Sequence, residues 1–181
     1  EALDPIRISA GGAEEGKALV AAGCDKYILT GSRGAGRAVL ARLAEDLKPA
    51  IVELSGADAY VILSDADWKL AVKSLVWAAF QYSGQTCVAP RRVIVLEKDR
   101  EKFLKVFRET VSACAEFVGS QGTLRTEKLA VEERKKLDAL RAAGAERLWV
   151  AEKAEGSQES QAASNARYVP PQLWTGVSPE A

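Results

Sequence analysis

Short apolar runs alternate with stretches of helical spacing along most of the chain. Ile6-Arg7-Ile8-Ser9 alternates with period two and reads as extended, and Gly11-Gly12 leads from it into a helical pattern over Ala13–Ala22 that closes at Gly23. The form then repeats. Tyr27-Ile28-Leu29-Thr30 is β-prone, Gly31-Ser32-Arg33-Gly34-Ala35-Gly36 is a glycine-rich turn, and Arg37–Leu47 carries apolar residues at helical spacing until Pro49 stops it. Two further strands, Ala50–Leu54 and Tyr60–Leu63, flank the flexible Ser55-Gly56-Ala57-Asp58. Strands and helices alternating at these lengths predict an α/β fold with parallel sheet and crossover helices.

The second half continues the theme. Ser64-Asp65-Ala66-Asp67 offers capping side chains to a long helix on which Ala71, Leu75, Ala78 and Ala79 share a face, with Gly84 ending it. Arg92–Leu96 reads as a strand, and Arg100–Cys114 as an amphipathic helix with Phe103, Val106, Phe107 and Val111 inward. Val131–Ala143 is a charged helix, Arg147–Ala151 a short strand, and Gly156–Ser164 a polar loop. Tyr168–Thr175 is β-like but confined to a sheet edge by Pro170-Pro171. No internal repeat is present.

Composition narrows the function classes. Residues are 48% hydrophobic and 28% charged, which fits an ordinary globular domain, and 25 basic residues balance 25 acidic ones. No electrostatic excess is available to hold nucleic acid or an anionic membrane. No apolar run approaches the roughly 18 residues that span a bilayer, and the start lacks a signal-peptide pattern, so a cytoplasmic protein is expected. Cys24, Cys87 and Cys114 are odd in number and widely spaced, matching neither a disulfide framework nor a CxxC site, so reduced thiols are expected. Histidine is absent, which removes Ser-His-Asp and Cys-His catalysis and most catalytic zinc sites. A general base must then be a carboxylate, a lysine or a tyrosine, and no metal site is expected. Methionine is absent too, and the ends carry no obvious caps; the expectation is a portion of a longer chain.

Three places could carry chemistry. A free cysteine usually packs as a small buried hydrophobe, and Cys24 and Cys114 read that way. Cys87 differs in its setting, Ser83-Gly84-Gln85-Thr86-Cys87-Val88-Ala89-Pro90, where small residues permit close approach by a substrate. Glu53, at the end of an apolar run, either emerges solvated at the strand end or is buried at a cost. Strand ends followed by glycine turns are also where open α/β sheets hold ligands. The Gly31–Gly36 turn lies at such an end, before a helix N-terminus able to receive a phosphate, though the turn departs from the Rossmann fingerprint and, taken alone, reads first as a plain βα turn.

Leu29-Thr30-Gly31-Ser32, Glu53-Leu54-Ser55-Gly56 and Gly84-Gln85-Thr86-Cys87 together resemble the aldehyde dehydrogenase superfamily in order and character, as does the 34-residue spacing from Glu53 to Cys87. Asp65-Ala66-Asp67, Arg92–Val95, Tyr168-Val169-Pro170-Pro171 and Val177-Ser178-Pro179-Glu180 extend the resemblance over effectively the whole chain. The resemblance implies NAD(P)-dependent oxidation of an aldehyde to a carboxylic acid. Cys87 would be the nucleophile that forms a thiohemiacetal and then a thioester, with its backbone N–H on the oxyanion. Glu53 would be the general base. Gly31 and Ser32 would lie against the pyrophosphate of NAD or NADP, Gly16 near its adenosine half and Leu54 near the nicotinamide ring, while Gly36 would pack helix on strand.

Residues 1–54 would form the later part of a Rossmann-like cofactor-binding domain, and residues 55–181 the front of an α/β catalytic domain. The complete protein would be a homo-oligomer. Three positions depart from the family: Ser55 replaces the commoner glycine, Ala57 a long side chain, and Tyr82 a frequent asparagine. The family's upstream oxyanion asparagine and ribose-binding lysine, its later segment against the nicotinamide ribose and its oligomerisation strands have no counterpart here. NAD and NADP therefore both stay open, as does the aldehyde. The alternative reading is a catalytically inactive module serving structure or oligomerisation.

Overall fold

The computed structural model describes residues 6–152 and 166–177. The polar loop expected over Gly156–Ser164, and residues 178–180 of the Val177–Glu180 motif, lie outside the described residues. The chain divides into two compact units, Glu1–Gly56 and Ala57–Ala181, and its strands and helices make it an α/β protein.

In the first unit, α1 (Ala13–Ala21) precedes β1 (Tyr27–Gly31), α2 (Arg33–Glu45) and β2 (Ala50–Leu54). The strands pair in parallel, from Tyr27 opposite Ala50 to Gly31 opposite Leu54, with α2 as the crossover that parallel pairing requires. Tyr27 ties the end of α1 to β1, its hydroxyl donating to the Val20 carbonyl at 2.8 Å and accepting the Cys24 N–H at 2.9 Å. α2 begins four residues earlier than the expected Arg37, because Ser32 caps it: the Ser32 Oγ accepts the Ala35 N–H at 3.2 Å. Much of the expected glycine turn is therefore the first turn of a helix. At Gly36 a Cβ would stand 2.8 and 2.9 Å from the Leu54 methyl carbons, so α2 seats on β2 where it has no side chain, as the resemblance implied.

Ile6–Ser9, expected to be extended, joins no sheet among the described residues, and Ile8 is 93% exposed. Alternation expresses a preference for a pleated, half-buried surface, and only a neighbouring ladder turns it into a strand.

The second unit holds the main core. β3 (Asp58–Ile62) and β4 (Pro90–Val95) pair in parallel, Tyr60 opposite Val93 and Ile62 opposite Val95, and α3 (Trp68–Phe80) crosses between them. After β4 come α4 (Arg100–Ala113), α5 (Ala115–Gly119), α6 (Glu127–Ala142) and an antiparallel pair, β5 (Glu146–Val150) with β6 (Gln172–Thr175). β6 starts only after the two prolines, and Pro171, which has no N–H to give, instead accepts the Ala151 N–H through its carbonyl at 2.8 Å. α6 also begins four residues before the expected Val131, because the Thr126 hydroxyl accepts the Leu129 N–H.

Asp67 caps α3 by accepting the Leu70 N–H at 3.1 Å. The face it buries is Trp68, Val72, Leu75 and Val76; of the expected stripe Leu75 is buried, and Ala71, Ala78 and Ala79 stay half-buried at the margin. Large side chains remove more apolar area from water, and they decide which way the helix turns. In α4, Phe103, Phe107 and Val111 are buried as expected, Val106 packs half-buried against the same core, and Leu104 is buried beside them. Phe80, Phe107 and Trp149 close the cluster, with ring centroids 5.8 and 5.4 Å from Trp149. No helix among the described residues is long and apolar enough to cross a membrane.

One local feature of the first unit has a defined pH dependence. The Glu15 carboxylate accepts the Gly12 N–H at 2.6 Å, and backbone hydrogen bonds, its own N–H first and then that of Gly12, hold its carboxyl below the ordinary range. The folded value lies below the unfolded one, so its support for α1 is present above about pH 4 and is lost as pH falls through the folded value. Amide protection factors in α1 are expected to fall on acidification below about pH 4. In Glu15→Gln that added fall should be missing.

Candidate active site

α3 ends at Phe80, and residues 81–84 form a tight turn of unusual hand. Tyr82 and Ser83 have φ of 53° and 56°, and Gly84 is next at 68°. Left-handed backbone costs a non-glycine residue roughly 1–2 kcal/mol, so two such residues in succession require fixed partners. Those partners come from the segment after α5. The Ser83 N–H donates to the Gln121 side-chain oxygen at 2.9 Å, and the Ser83 hydroxyl accepts the Gly122 N–H at 2.9 Å. Arg91 donates to the Gly84 carbonyl.

Cys87 sits on the next bend. The Thr86 carbonyl accepts the Ala89 N–H at 3.1 Å, which places Cys87 and Val88 at the outside of a turn that runs from half-buried Thr86 to buried Ala89. The Cys87 thiol is exposed, and neither it nor the Cys87 N–H is engaged by any hydrogen bond among the described residues. A thiol and an N–H at one outward corner can address the two atoms of a carbonyl group. Of the other cysteines, Cys114 packs against the core as expected. Cys24 does not: it lies in the turn between α1 and β1 and is exposed.

In the first unit, β1 and β2 bring Gly31, Ser32, Glu53 and Leu54 to one end of the parallel pair, with Thr30 opposite Glu53 and Gly31 opposite Leu54. They divide between faces. Leu54 lies half-buried beneath α2 at Gly36, whereas Glu53 is exposed on the other face of the strand, so the solvated alternative holds for its carboxylate. Helical bonding leaves the Arg33 and Gly34 N–H groups over at the start of α2, and a Cβ on Gly34 would meet only the Ser32 hydroxyl, at 3.8 Å. Open N–H groups, a hydroxyl and the guanidinium-bearing Arg33 suit a phosphate group. Gly16 lies within α1, which buries no residue.

The family-wide sequence model described as "Aldehyde dehydrogenase family" matches residues 6–181. The chain belongs to the aldehyde dehydrogenase family. Among its relatives, the succinate-semialdehyde dehydrogenase [NADP(+)] of Mycobacterium avium (strain 104) is 37% identical over 124 residues, covering 65% of this chain and 26% of that protein. The succinate semialdehyde dehydrogenase [NAD(P)+] Sad of Escherichia coli (strain K12) is 31% identical over 157 residues, 84% of this chain and 32% of that protein. Mycobacterium tuberculosis aldehyde dehydrogenase complexed with NAD+ superimposes with a TM-score of 0.77 at 26% identity, over 94% of this chain and 35% of that one. The putative aldehyde dehydrogenase PutA from Anabaena variabilis gives 0.76 at 25% identity, over 93% and 35%. The chain thus has the α/β fold of the aldehyde dehydrogenases and spans about a third or less of the length of these proteins.

In this member of the family, Ser83, Gln121 and Gly122 are the part of the site that sequence reasoning does not reach. Their only local signal is Gly84 beside a non-glycine pair; the partner segment is 38 residues away. Two substitutions should move stability in opposite directions. Gly122 has φ of +116°, and a Cβ there would stand 2.7 Å from both the Val169 carbonyl oxygen and the Tyr168 ring. Gly122→Ala is expected to cost at least about 2 kcal/mol in urea unfolding. Tyr82 is 72% exposed and loses little packing on truncation, and asparagine tolerates the left-handed region. Tyr82→Asn is expected to raise stability by up to about 1 kcal/mol in the same measurement.

Proposed function

We propose that this chain supplies the nucleophile and part of the cofactor site of an NAD- or NADP-dependent aldehyde dehydrogenase that oxidises an aldehyde to a carboxylic acid. The observation that carries the reading is the Cys87 corner, where an exposed thiol and an unengaged N–H share one residue of a tied-down turn. Cys87 Sγ attacks the aldehyde carbon, and the oxygen that becomes negative accepts the Cys87 N–H. Glu53 acts as the carboxylate base, taking a proton either from the water that hydrolyses the thioester or from the thiol itself. A carboxylate in that role agrees with a chain that has no histidine.

Residues 1–54 form the later part of the cofactor domain in this reading, and residues 55–181 the front of the catalytic domain. Gly31 and Ser32, with the first N–H groups of α2, hold the pyrophosphate; Gly16 lies toward the adenosine half and Leu54 toward the nicotinamide. The chemistry that NAD or NADP supplies when bound is acceptance of the hydride. Succinate semialdehyde is the first aldehyde to test, because the mycobacterial and Escherichia coli relatives are succinate-semialdehyde dehydrogenases. Three free cysteines support a reducing, cytoplasmic setting, and family resemblance supports a homo-oligomer.

The test is NAD(P)H production by the protein that carries this chain. Cys87→Ala should abolish it, iodoacetamide should label Cys87 as activity disappears, and Glu53→Gln should lower kcat by about 10²- to 10⁴-fold. Full turnover in Cys87→Ala would remove this mechanism. No turnover and no binding of NAD or NADP in equilibrium dialysis would favour the inactive module instead.

A further inference from the structure

Two glutamines that the proposed reaction leaves unused tie the turn ahead of Cys87 to the segment after α5. Gln85 uses its whole carboxamide. Its nitrogen donates to the Tyr82 carbonyl at 3.0 Å and to the Thr123 carbonyl at 3.4 Å, while its oxygen accepts the Arg125 N–H at 2.8 Å. Gln121 accepts the Ser83 N–H through its side-chain oxygen, and its nitrogen donates to the Ser120 hydroxyl at 3.0 Å. With the Gly122 N–H on the Ser83 hydroxyl, four hydrogen bonds join residues 83–85 to residues 121–125 across 38 to 40 positions of sequence.

The purpose of this joint is visible in the conformation it holds. Tyr82 and Ser83 are left-handed without being glycine, so an untied chain would relax toward ordinary backbone and swing the residues beyond the turn. Cys87 is among them, only two positions past Gln85. An ordinary stabilising contact would bury apolar surface, yet Gln85 is exposed and acts through its amide alone.

We infer that Gln85 and Gln121 are positioning residues for Cys87: their side-chain amides lock the left-handed turn to the 121–125 segment and thereby fix where the thiol and its N–H stand. This rests on the reading of Cys87 as nucleophile. The two amides differ in a way that can be tested. Gln121 needs only an acceptor for the Ser83 N–H, which a carboxylate also provides. Gln85 needs donor and acceptor together, and a carboxylate there would set oxygen against the carbonyls of Tyr82 and Thr123.

The experiment is steady-state kinetics on the protein that carries this chain, with thermal midpoints and amide exchange at Arg125 measured on the same variants. Gln85→Ala and Gln85→Glu are both expected to lower kcat by about 10- to 100-fold, since misplacement by about 1 Å costs about that much, with KM within about threefold. Gln121→Ala should lower kcat by about 10-fold and Gln121→Glu should restore it. Arg125 should lose protection in Gln85→Ala. Should Gln85→Ala fail to fold, the Gln121 pair decides alone. If Cys87→Ala is inactive while Gln85→Ala keeps kcat within about threefold, or if Gln121→Glu is as impaired as Gln121→Ala, the positioning role is overturned and the nucleophile stands. If Cys87→Ala retains activity, the nucleophile reading falls first.

Discussion

Backbone handedness at Tyr82–Gly84 is the constraint on which the rest of the second unit converges. A right-handed continuation of α3 would carry the chain onward along the helix axis, and β4 could not then begin at Pro90 beside β3. Reversal within three residues needs positive φ, which costs energy at Tyr82 and Ser83 and is free only at Gly84. Both ends of the reversal are anchored. On one side α3 is sunk into the core by Trp68, Val72, Leu75 and Val76; on the other, Ala89 is 1% exposed. Between the anchors, hydrogen bonds from the 121–125 segment hold the turn, where Tyr82 and Gln85 are exposed and bring little packing.

The first unit solves a different problem with simpler means. A parallel pair of strands and one crossover helix bring the start of α2 to the same end of the sheet as Gly31 and Glu53. Ser32 then does two things at once: its hydroxyl starts the helix, and by starting it immediately after β1 it leaves the next two N–H groups pointing away from the helix body. Gly36 allows the close seat on Leu54 that makes so short a connection possible.

Most of this was legible in the chain. Period-two and helical spacing located every helix and strand named among the described residues except α5, and the order of three short motifs identified the family that the sequence model then matched. Misreadings came where a local signal was weighed without its neighbours. Gly34 and Gly36 looked like a loop because glycine usually ends helices, and only the Ser32 hydroxyl bond makes them a helix start. Ile6–Ser9 looked like a strand because alternation was counted without a ladder. On α3 the spacing of Ala71, Leu75, Ala78 and Ala79 finds only Leu75 of the buried face, because side-chain size turns the helix toward Trp68, Val72 and Val76. The joint at Ser83, Gln85 and Gln121 was illegible for another reason: polar side chains carry no periodicity, and contacts between residues 38 to 40 positions apart leave no pattern in a single sequence.

The three sheets among the described residues have two strands each, and a two-stranded sheet is all edge. Every strand therefore offers a row of backbone donors and acceptors along one side, and in the parallel pairs that row borders exposed aliphatic side chains, Ile28 and Ile51 in one, Val61 and Ile94 in the other. Such margins accept another strand of almost any sequence, since the ladder reads main chain rather than side chain. Handled in isolation at high concentration, this polypeptide will tend to associate edge to edge through these margins.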